Sequence, residues 1–286
     1  MTLNGNAPEN RTLPRISRFR STTFIDSPFP RPGQCGVSFV RNGLVQRSKA
    51  ESESLLAIIP ARNEAPTVAD VVRGVVASLG CEVVVISDAS TDGTAHAARA
   101  AGAVVIELPC RLGAWGATQT GMRYALRHGF RTGVTLDADG QHHPSELPAL
   151  LDAHRTRGAN VVIGTCAERL SAAKRIAAGY FQAITGIGVR DFTSGLRVYD
   201  RRALRALASR EASLLDYQDL GVLMLLRKRG LSVLEVHTAM SPRRTGGSRV
   251  FSSWPMVVRY MLHTTVLSFA QIGARRRRAA GIGAAT

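Results

Sequence analysis

Short runs of apolar, mostly β-branched residues alternate with segments of helical periodicity through the middle of this 286-residue chain. The runs predict five strands, at residues 55–59, 82–87, 104–108, 133–137 and 160–164. The segments between them predict helices that begin at Pro66 and near residue 94 and that cover residues 114–128 and 144–156. Strands that are apolar throughout and separated by helices are typical of a parallel sheet covered on both faces. The sequence therefore predicts an α/β fold with a mainly parallel central sheet.

Polar loops follow three of the predicted strands. Their sequences are PARNE at residues 60–64, DASTDGT at residues 88–94 and DADGQHHP at residues 137–144. In open α/β sheets the ligand binds outside the carboxyl ends of the strands. We therefore expect these three loops to converge on one edge of the sheet and to form the functional site.

Asp137 and Asp139 stand two positions apart at the end of an apolar run. Both carboxylates can approach one hard cation, and Mg²⁺ or Mn²⁺ bound in this way can bridge a diphosphate. The alternative is a solvated turn with a capping aspartate. His142 and His143 follow in the same loop; we expect them to be solvated and predict neither as a metal ligand.

The second loop contains Asp88 and Asp92. Asp92 lies where a capping residue would stand before the next helix. Asp88 lies closer to the strand end, where a carboxylate can accept hydrogen bonds from a nucleobase or a ribose. In the first loop, Arg62 and Glu64 are either a solvated pair before a helix, or Pro60 and Glu64 shape a pocket for the base and ribose.

These loops, together with the Arg-x-x-Gly-x-Ser-Arg pattern at residues 243–249, resemble family 2 glycosyltransferases with the GT-A fold. The resemblance covers residues 55–250 and extends to the polyprenyl-phosphate sugar transferases of the dolichyl-phosphate mannose synthase type. It implies one GT-A domain at residues 55–250. It also implies an inverting transfer of a sugar from a UDP- or GDP-sugar to a polyprenyl phosphate at the cytoplasmic membrane face.

The resemblance also implies roles for individual residues. Nucleoside contacts fall on Pro60, Glu64 and Asp88, with Arg62 beside them. Asp137 would contact the ribose or diphosphate, while Asp139 and Gln141 would hold Mg²⁺ or Mn²⁺. Arg243, Ser248 and Arg249 would bind the diphosphate and the acceptor phosphate, since a planar guanidinium suits phosphate oxygens.

Asp219 precedes an apolar helical run and matches an acidic position of the family. If the acceptor is a hydroxyl on a glycan or small metabolite, this carboxylate would be the general base. A phosphate acceptor is already ionised and needs no base, so Asp219 would then be only a favourable charge at a helix N-terminus.

The Gly-Ser-Arg that often follows the fifth strand in the family is Gly164-Thr165-Cys166 here, which leaves the diphosphate-binding arginine displaced to Arg169 or absent. The segment at residues 191–197 either lines the sugar pocket or is a turn that leads into a strand.

The chain carries a formal net charge of +16, and the excess lies at its two ends. Residues 1–50 hold eight basic and two acidic residues, and residues 240–286 hold eight basic and no acidic ones. Because no helix-turn-helix, zinc-finger or RNP pattern occurs, this distribution favours an anionic membrane surface or substrate over nucleic acid. Residues 1–54 are predicted to be a disordered basic arm without a secretory signal. The four scattered cysteines indicate a reducing compartment, and the protein is expected to be cytoplasmic, with peripheral contact to the inner face of the cell membrane.

The C-terminal residues 251–286 carry an amphipathic stripe followed by four arginines at residues 275–278. A helix of this kind either packs on the catalytic domain or lies on anionic lipid headgroups.

Two other functions compete with the transferase. A sugar-phosphate cytidylyltransferase shares the Ile-Pro-Ala-Arg strand end, but residues 63–72 lack the Arg and Lys that a triphosphate would need. The second competing function is that of a noncatalytic protein that only binds nucleotide or membrane.

Overall fold

The computed structural model describes residues 55–166, 172–185, 187–215 and 219–241 of the chain. The predictions for the basic arm, for Arg169, for Arg243, Ser248 and Arg249, and for the C-terminal stripe concern residues outside this part. Its strands are β1 Leu55–Ala61, β2 Glu82–Ser87, β3 Val104–Glu107, β4 Thr132–Thr135, β5 Val161–Thr165, β6 Arg197–Tyr199 and β7 Val233–His237. Its α-helices are α1 Val68–Leu79, α2 Thr94–Ala100, α3 Gly113–Arg127, α4 Leu147–Arg157, α5 Ala172–Thr185, α6 Arg201–Leu207 and α7 Leu220–Lys228. Two short 3₁₀ helices cover Pro144–Glu146 and Ala212–Leu214.

The seven strands form one sheet in the order β3-β2-β1-β4-β6-β5-β7. All neighbouring strands are parallel except β6, which is antiparallel to both β4 and β5. The prediction of a mainly parallel sheet is confirmed, and the five predicted strands are present with ends shifted by one or two residues. The predicted fourth strand extended to Asp137, but the pairing of β4 ends at Thr135, followed only by the hydrogen bond from Leu136 N to Ile58 O. Asp137 therefore lies just beyond the sheet.

Two hydrophobic cores sandwich the sheet. Successive side chains of β1 alternate between them, so that Ile58 faces one core and Ile59 the other. The Ile58 core includes buried residues of α3, α5, α6 and α7, and the Ile59 core includes buried residues of α1, α2 and α4. The expectation of helices on both faces is confirmed.

The first helix starts later than the sequence predicts. Pro66 lies in a turn, in which the backbone N–H groups of Thr67 and Val68 both donate to the carbonyl of Glu64, and α1 begins at Val68. The helix ends at Gly80, whose left-handed φ of 58° is accessible to glycine without strain. Among the described residues, no helix combines the length and apolar character needed to span a bilayer.

Gly121 lies where α3 crosses β1, and a Cβ at this position would come within 2.3 Å of Ile58 Cγ2. We expect Gly121→Ala to lower the free energy of unfolding by about 1–3 kcal/mol, because neither a central strand nor a packed helix can move aside. Gly179→Ala is the matched control, since this helical glycine in α5 is exposed and has nothing within 4 Å of the added atom. Urea denaturation of both variants checks the prediction, which would be contradicted by equal stabilities.

Candidate functional site

The loops after β1 and β2 are joined by hydrogen bonds at the carboxyl edge of the sheet. Asn63 N donates to Ser90 Oγ at 3.2 Å, and Thr91 N donates to Asn63 Oδ1 at 2.9 Å. Asn63 has a φ of 53°, in the left-handed region that asparagine tolerates better than most residues. The hydrogen bonds of Asn63 therefore hold the loop after β1 against the loop after β2.

Glu64 and Thr67 connect the first loop to the other two. Glu64 N donates to Thr94 Oγ1 at 2.9 Å, and Thr67 Oγ1 donates to the carbonyl of Ala138, between the two aspartates of the third loop, at 2.7 Å. Glu64 is only 7% exposed, and its Oε2 lies 3.5 Å from Thr67 Oγ1. These contacts confirm that the three polar loops converge on one edge.

Gly93 occupies the N-cap position of α2, one residue after the predicted Asp92, but Asp92 supplies the side-chain acceptor for the first helical N–H. Its Oδ1 accepts from the N–H and the hydroxyl of Thr94, the first residue of α2, and its Oδ2 accepts from Ala65 N at 3.2 Å. Partial burial opposes ionisation, but these hydrogen bonds outweigh it and lower the pKa of the carboxyl below its ordinary 3.8. The hydrogen bonds to the ionised Asp92 therefore stabilise the fold at pH values above the ordinary pKa, and this stabilisation is lost as the pH falls through the lowered pKa.

Asp88 is buried and accepts two backbone hydrogen bonds at the start of α3. Leu112 N donates to Oδ1 at 2.6 Å, and Gly113 N donates to Oδ2 at 3.0 Å. These N–H groups lack partners within the helix, and a carboxylate there also opposes the positive end of the helix dipole. Asp88 thus positions the helix at the edge of the site, while its contact with a nucleoside stays a prediction.

The third loop presents two carboxylates in different surroundings. Asp139 is 4% exposed, and its Oδ1 accepts from Gln141 N at 3.0 Å. The side chain of Asp137 is 46% exposed, and its Oδ2 lies 3.9 Å from Nε2 of His142. One carboxylate is held by the turn itself, and the other faces the solvent-accessible part of the site.

The expectation that His142 is solvated is wrong. This side chain is buried, because the loop pairs with the chain that follows β7: His142 forms an antiparallel bridge with Met240, and Ser241 N donates to Gln141 O at 2.9 Å. A further hydrogen bond of 2.8 Å joins Ser241 Oγ to Nε2 of His143. The sequence does not reveal this burial, because it depends on contacts between residues 98 positions apart, such as His143 and Ser241.

The predicted metal ligands have the right chemistry for a hard divalent cation. Asp137, Asp139 and the side-chain amide of Gln141 offer oxygen atoms within one short loop, which suits Mg²⁺ or Mn²⁺. Within the described ranges, no three His, Cys, Asp or Glu side chains cluster closely enough to hold an ion by themselves. The residues therefore fit a cation whose remaining ligands come from a bound diphosphate and water.

The segment between α5 and β6 lies against this loop. Thr135 Oγ1 donates to Gly195 O at 2.7 Å, and Ser194 Oγ donates to Gly164 O at 2.6 Å at the end of β5. A Cβ at Gly195 would lie 2.5 Å from Asp137 Oδ2. The segment at residues 191–197 is therefore both the turn into β6 and a wall beside Asp137, and sequence reasoning did not single out Gly195.

Three other predicted residues are also in the described part of the chain. Pro60 is half-buried near the end of β1, opposite Ile86, and Arg62 follows it, also half-buried. Asp219 is the N-cap of α7, where its Oδ1 accepts from Gly221 N at 3.0 Å. This is the positional role that the sequence allows for Asp219, and its role as a general base stays a prediction.

Comparisons with known proteins show the family and the fold to which the chain is similar. Residues 56–208 match the sequence model of glycosyl transferase family 2. An undecaprenyl-phosphate mannosyltransferase of Micrococcus luteus is 35% identical over 143 residues, which cover 44% of this chain and 57% of that protein. A polyprenol monophosphomannose synthase of Mycolicibacterium smegmatis is 29% identical over 223 residues, which cover 71% of this chain and 83% of the relative. The match thus spans less than two thirds of the first relative.

A solved structure shares the fold. The glucosyl-3-phosphoglycerate synthase of Mycobacterium tuberculosis, crystallised with Mn²⁺, UDP and glucosyl-3-phosphoglycerate, superposes with a TM-score of 0.61 at 21% identity. The superposition covers 82% of this chain and 86% of that one. This likeness confirms the predicted GT-A type of α/β fold.

The contacts of Asp88 generate a prediction about stability. We expect Asp88→Ala to lower the free energy of unfolding by about 1–3 kcal/mol, because two N–H groups at the start of α3 lose their acceptor. Asp152→Ala, at an exposed position in α4, is the control and should change it by less than about 0.5 kcal/mol. Chemical denaturation without ligand measures both. An unchanged stability of Asp88→Ala would mean that the carboxylate does not hold the helix.

Proposed function

The chain belongs to glycosyl transferase family 2, and we propose that it transfers a sugar from a UDP- or GDP-sugar to a polyprenyl phosphate. The observation that carries the proposal is the pair Asp137 and Asp139 beyond the end of β4, tied through Ala138 to the loop of Glu64. Carboxylates at this edge suit a cation that bridges a nucleoside diphosphate. The buried Glu64 and the half-buried Pro60 and Arg62 stand where a base and ribose would bind.

The names of the relatives support the acceptor. Besides the two proteins described above, an undecaprenyl-phosphate 4-deoxy-4-formamido-L-arabinose transferase of Pseudomonas aeruginosa is 31% identical over 176 residues. All three names contain a polyprenyl phosphate or its glycosylated form, whereas the sugar is mannose in two of them and a formamido-arabinose in the third. The acceptor we propose is therefore the shared polyprenyl phosphate, and the donor base and sugar are for experiment to assign.

The proposed reaction is a single displacement with inversion. An oxygen of the acceptor phosphate attacks the anomeric carbon from the face opposite the diphosphate, the bond to the leaving diphosphate breaks, and its electron pair stays on the diphosphate oxygen. Asp139 and Gln141 would hold the divalent cation and Asp137 would contact the ribose or diphosphate; a bound cation offsets the charge that develops on the leaving group. Because the acceptor is already ionised, no side chain needs to remove a proton.

The chain that follows β7 supports a role for the arginine segment. Ser241 is hydrogen-bonded to the third loop, and Arg243 follows it by two residues in the sequence. We propose that Arg243, Ser248 and Arg249 bind the diphosphate and the acceptor phosphate. The basic ends of the chain would bring the protein to anionic headgroups at the inner face of the cell membrane.

Asp139→Asn tests the transferase itself. We expect the release of nucleoside diphosphate to fall by about 100-fold or more, since the variant loses a charge that holds the cation against the leaving group. The assay uses a panel of UDP- and GDP-sugars with Mn²⁺ or Mg²⁺, with and without undecaprenyl phosphate, and Asp152→Asn is the surface control. Lipid-dependent release that the variant loses supports the proposal. Release without lipid points to a hydroxyl acceptor, and no release from any donor points to a noncatalytic protein.

Asp219→Asn separates the two acceptor classes. For a phosphate acceptor we expect a loss of turnover below about tenfold, because asparagine can still cap α7 and no general base is required. Single-turnover rates with undecaprenyl phosphate, together with nucleotide affinity, measure the effect. A loss of about 100-fold or more with intact nucleotide binding would instead identify Asp219 as the general base for a hydroxyl acceptor.

A further inference from the structure

A buried arginine fixes the segment that carries Gly195. Arg197 is 0% exposed; its Nε donates to Ser194 O at 2.9 Å, and its Nη2 donates to Phe192 O at 2.7 Å. Hydrogen bonds from a charged guanidinium in a buried position are strong. The ring of Phe192 also packs edge-on against Phe181 of α5, with centroids 5.9 Å apart. The backbone on both sides of Gly195 is therefore anchored in the core.

The same segment is tied to the strand that ends at Asp137. Thr135 belongs to β4, two residues before Asp137, and donates through Oγ1 to the carbonyl of Gly195 at 2.7 Å. Gly195 and Asp137 are thus held by one short path of covalent and hydrogen bonds. Their separation does not depend on a mobile loop.

Gly195 leaves room for the Asp137 carboxylate. A Cβ at this position would lie 2.5 Å from Oδ2, 2.7 Å from Oδ1 and 2.8 Å from Cγ of Asp137, all shorter than real contacts. The φ of Gly195 is outside the left-handed region, so the backbone does not require glycine here. The three atoms nearest to an added Cβ all belong to Asp137.

We infer that Gly195 is a positioning residue, whose missing side chain sets where the Asp137 carboxylate stands when the donor nucleotide binds. The buried imidazole of His142, 3.9 Å from Oδ2, limits the space available to the carboxylate further. Any side chain at position 195 drives this half-exposed carboxylate from its place, because the anchored backbone cannot yield. The inference rests on the proposed function in one respect, since the ligand that senses the displacement is the donor nucleotide.

A double-mutant cycle tests the inference, with Gly195→Ala, Asp137→Ala and the double variant compared with the unmodified protein. Binding of UDP and of GDP in the presence of Mn²⁺ is measured by isothermal titration calorimetry. We expect Gly195→Ala to weaken nucleotide binding about tenfold, because the displaced Asp137 carboxylate loses its proposed contact with the ribose or diphosphate. In the Asp137→Ala background the same change should have no further effect, since the clashing atoms are gone. Gly179→Ala, in the open surface of α5, is the control.

Each result decides the inference. Unchanged binding by Gly195→Ala, or additive losses in the double variant, would overturn it. If Gly195→Ala unfolds, recovery of the fold in the double variant supports the steric conflict, and failure of both shows that glycine serves the backbone. If the unmodified protein binds neither nucleotide, the proposed donor is wrong, and a crystal structure of Gly195→Ala decides whether Asp137 has moved.

Discussion

Strand β1 is the element on which the site depends. It pairs in parallel with β2 on one side and with β4 on the other, and its side chains are buried on both faces. Because three parallel strands in register end at one edge, the loops of Glu64, Asp88 and Asp137 must meet there. The hydrogen bonds among these loops then act over short distances, and they fix positions that the sheet has already brought together.

Two buried charged side chains at this edge form hydrogen bonds with the backbone. Asp88 accepts from the first N–H groups of α3, and Arg197 donates to carbonyls of the segment before β6. Leaving such groups unpaired in the interior is costly, so each side chain specifies the course of one chain segment. The charges of Asp88 and Arg197 therefore shape the walls of the site, whatever they do with a ligand.

Local patterns predict the alternation of strands and helices, because the spacing of apolar residues reflects which side chains are buried. They also predict the convergence of the polar loops, because the ends of the apolar runs show where the strands end. They predict β6 only as one of two alternatives for the segment at residues 191–197, because three residues are too few to show a period, and they do not predict that β6 runs opposite to β4 and β5. They also miss the burial of His142 and the role of Gly195. Both depend on contacts between segments far apart in sequence, such as the one from Thr135 to Gly195 across 60 positions.

Charge explains why the proposed site needs more than the described loops. Glu64, Asp88, Asp137 and Asp139 all lie at this edge, and both the donor diphosphate and an acceptor phosphate are anions. The carboxylates would repel such ligands unless cations offset their negative charge. A divalent ion and guanidinium groups can supply the positive charge. The segment after Ser241 carries three arginines and no acidic residue up to position 249, and it starts from a hydrogen bond to the Asp139 loop. The sequence thus places basic residues directly after the chain that bonds to this acidic edge, as a site for two phosphorylated ligands would require.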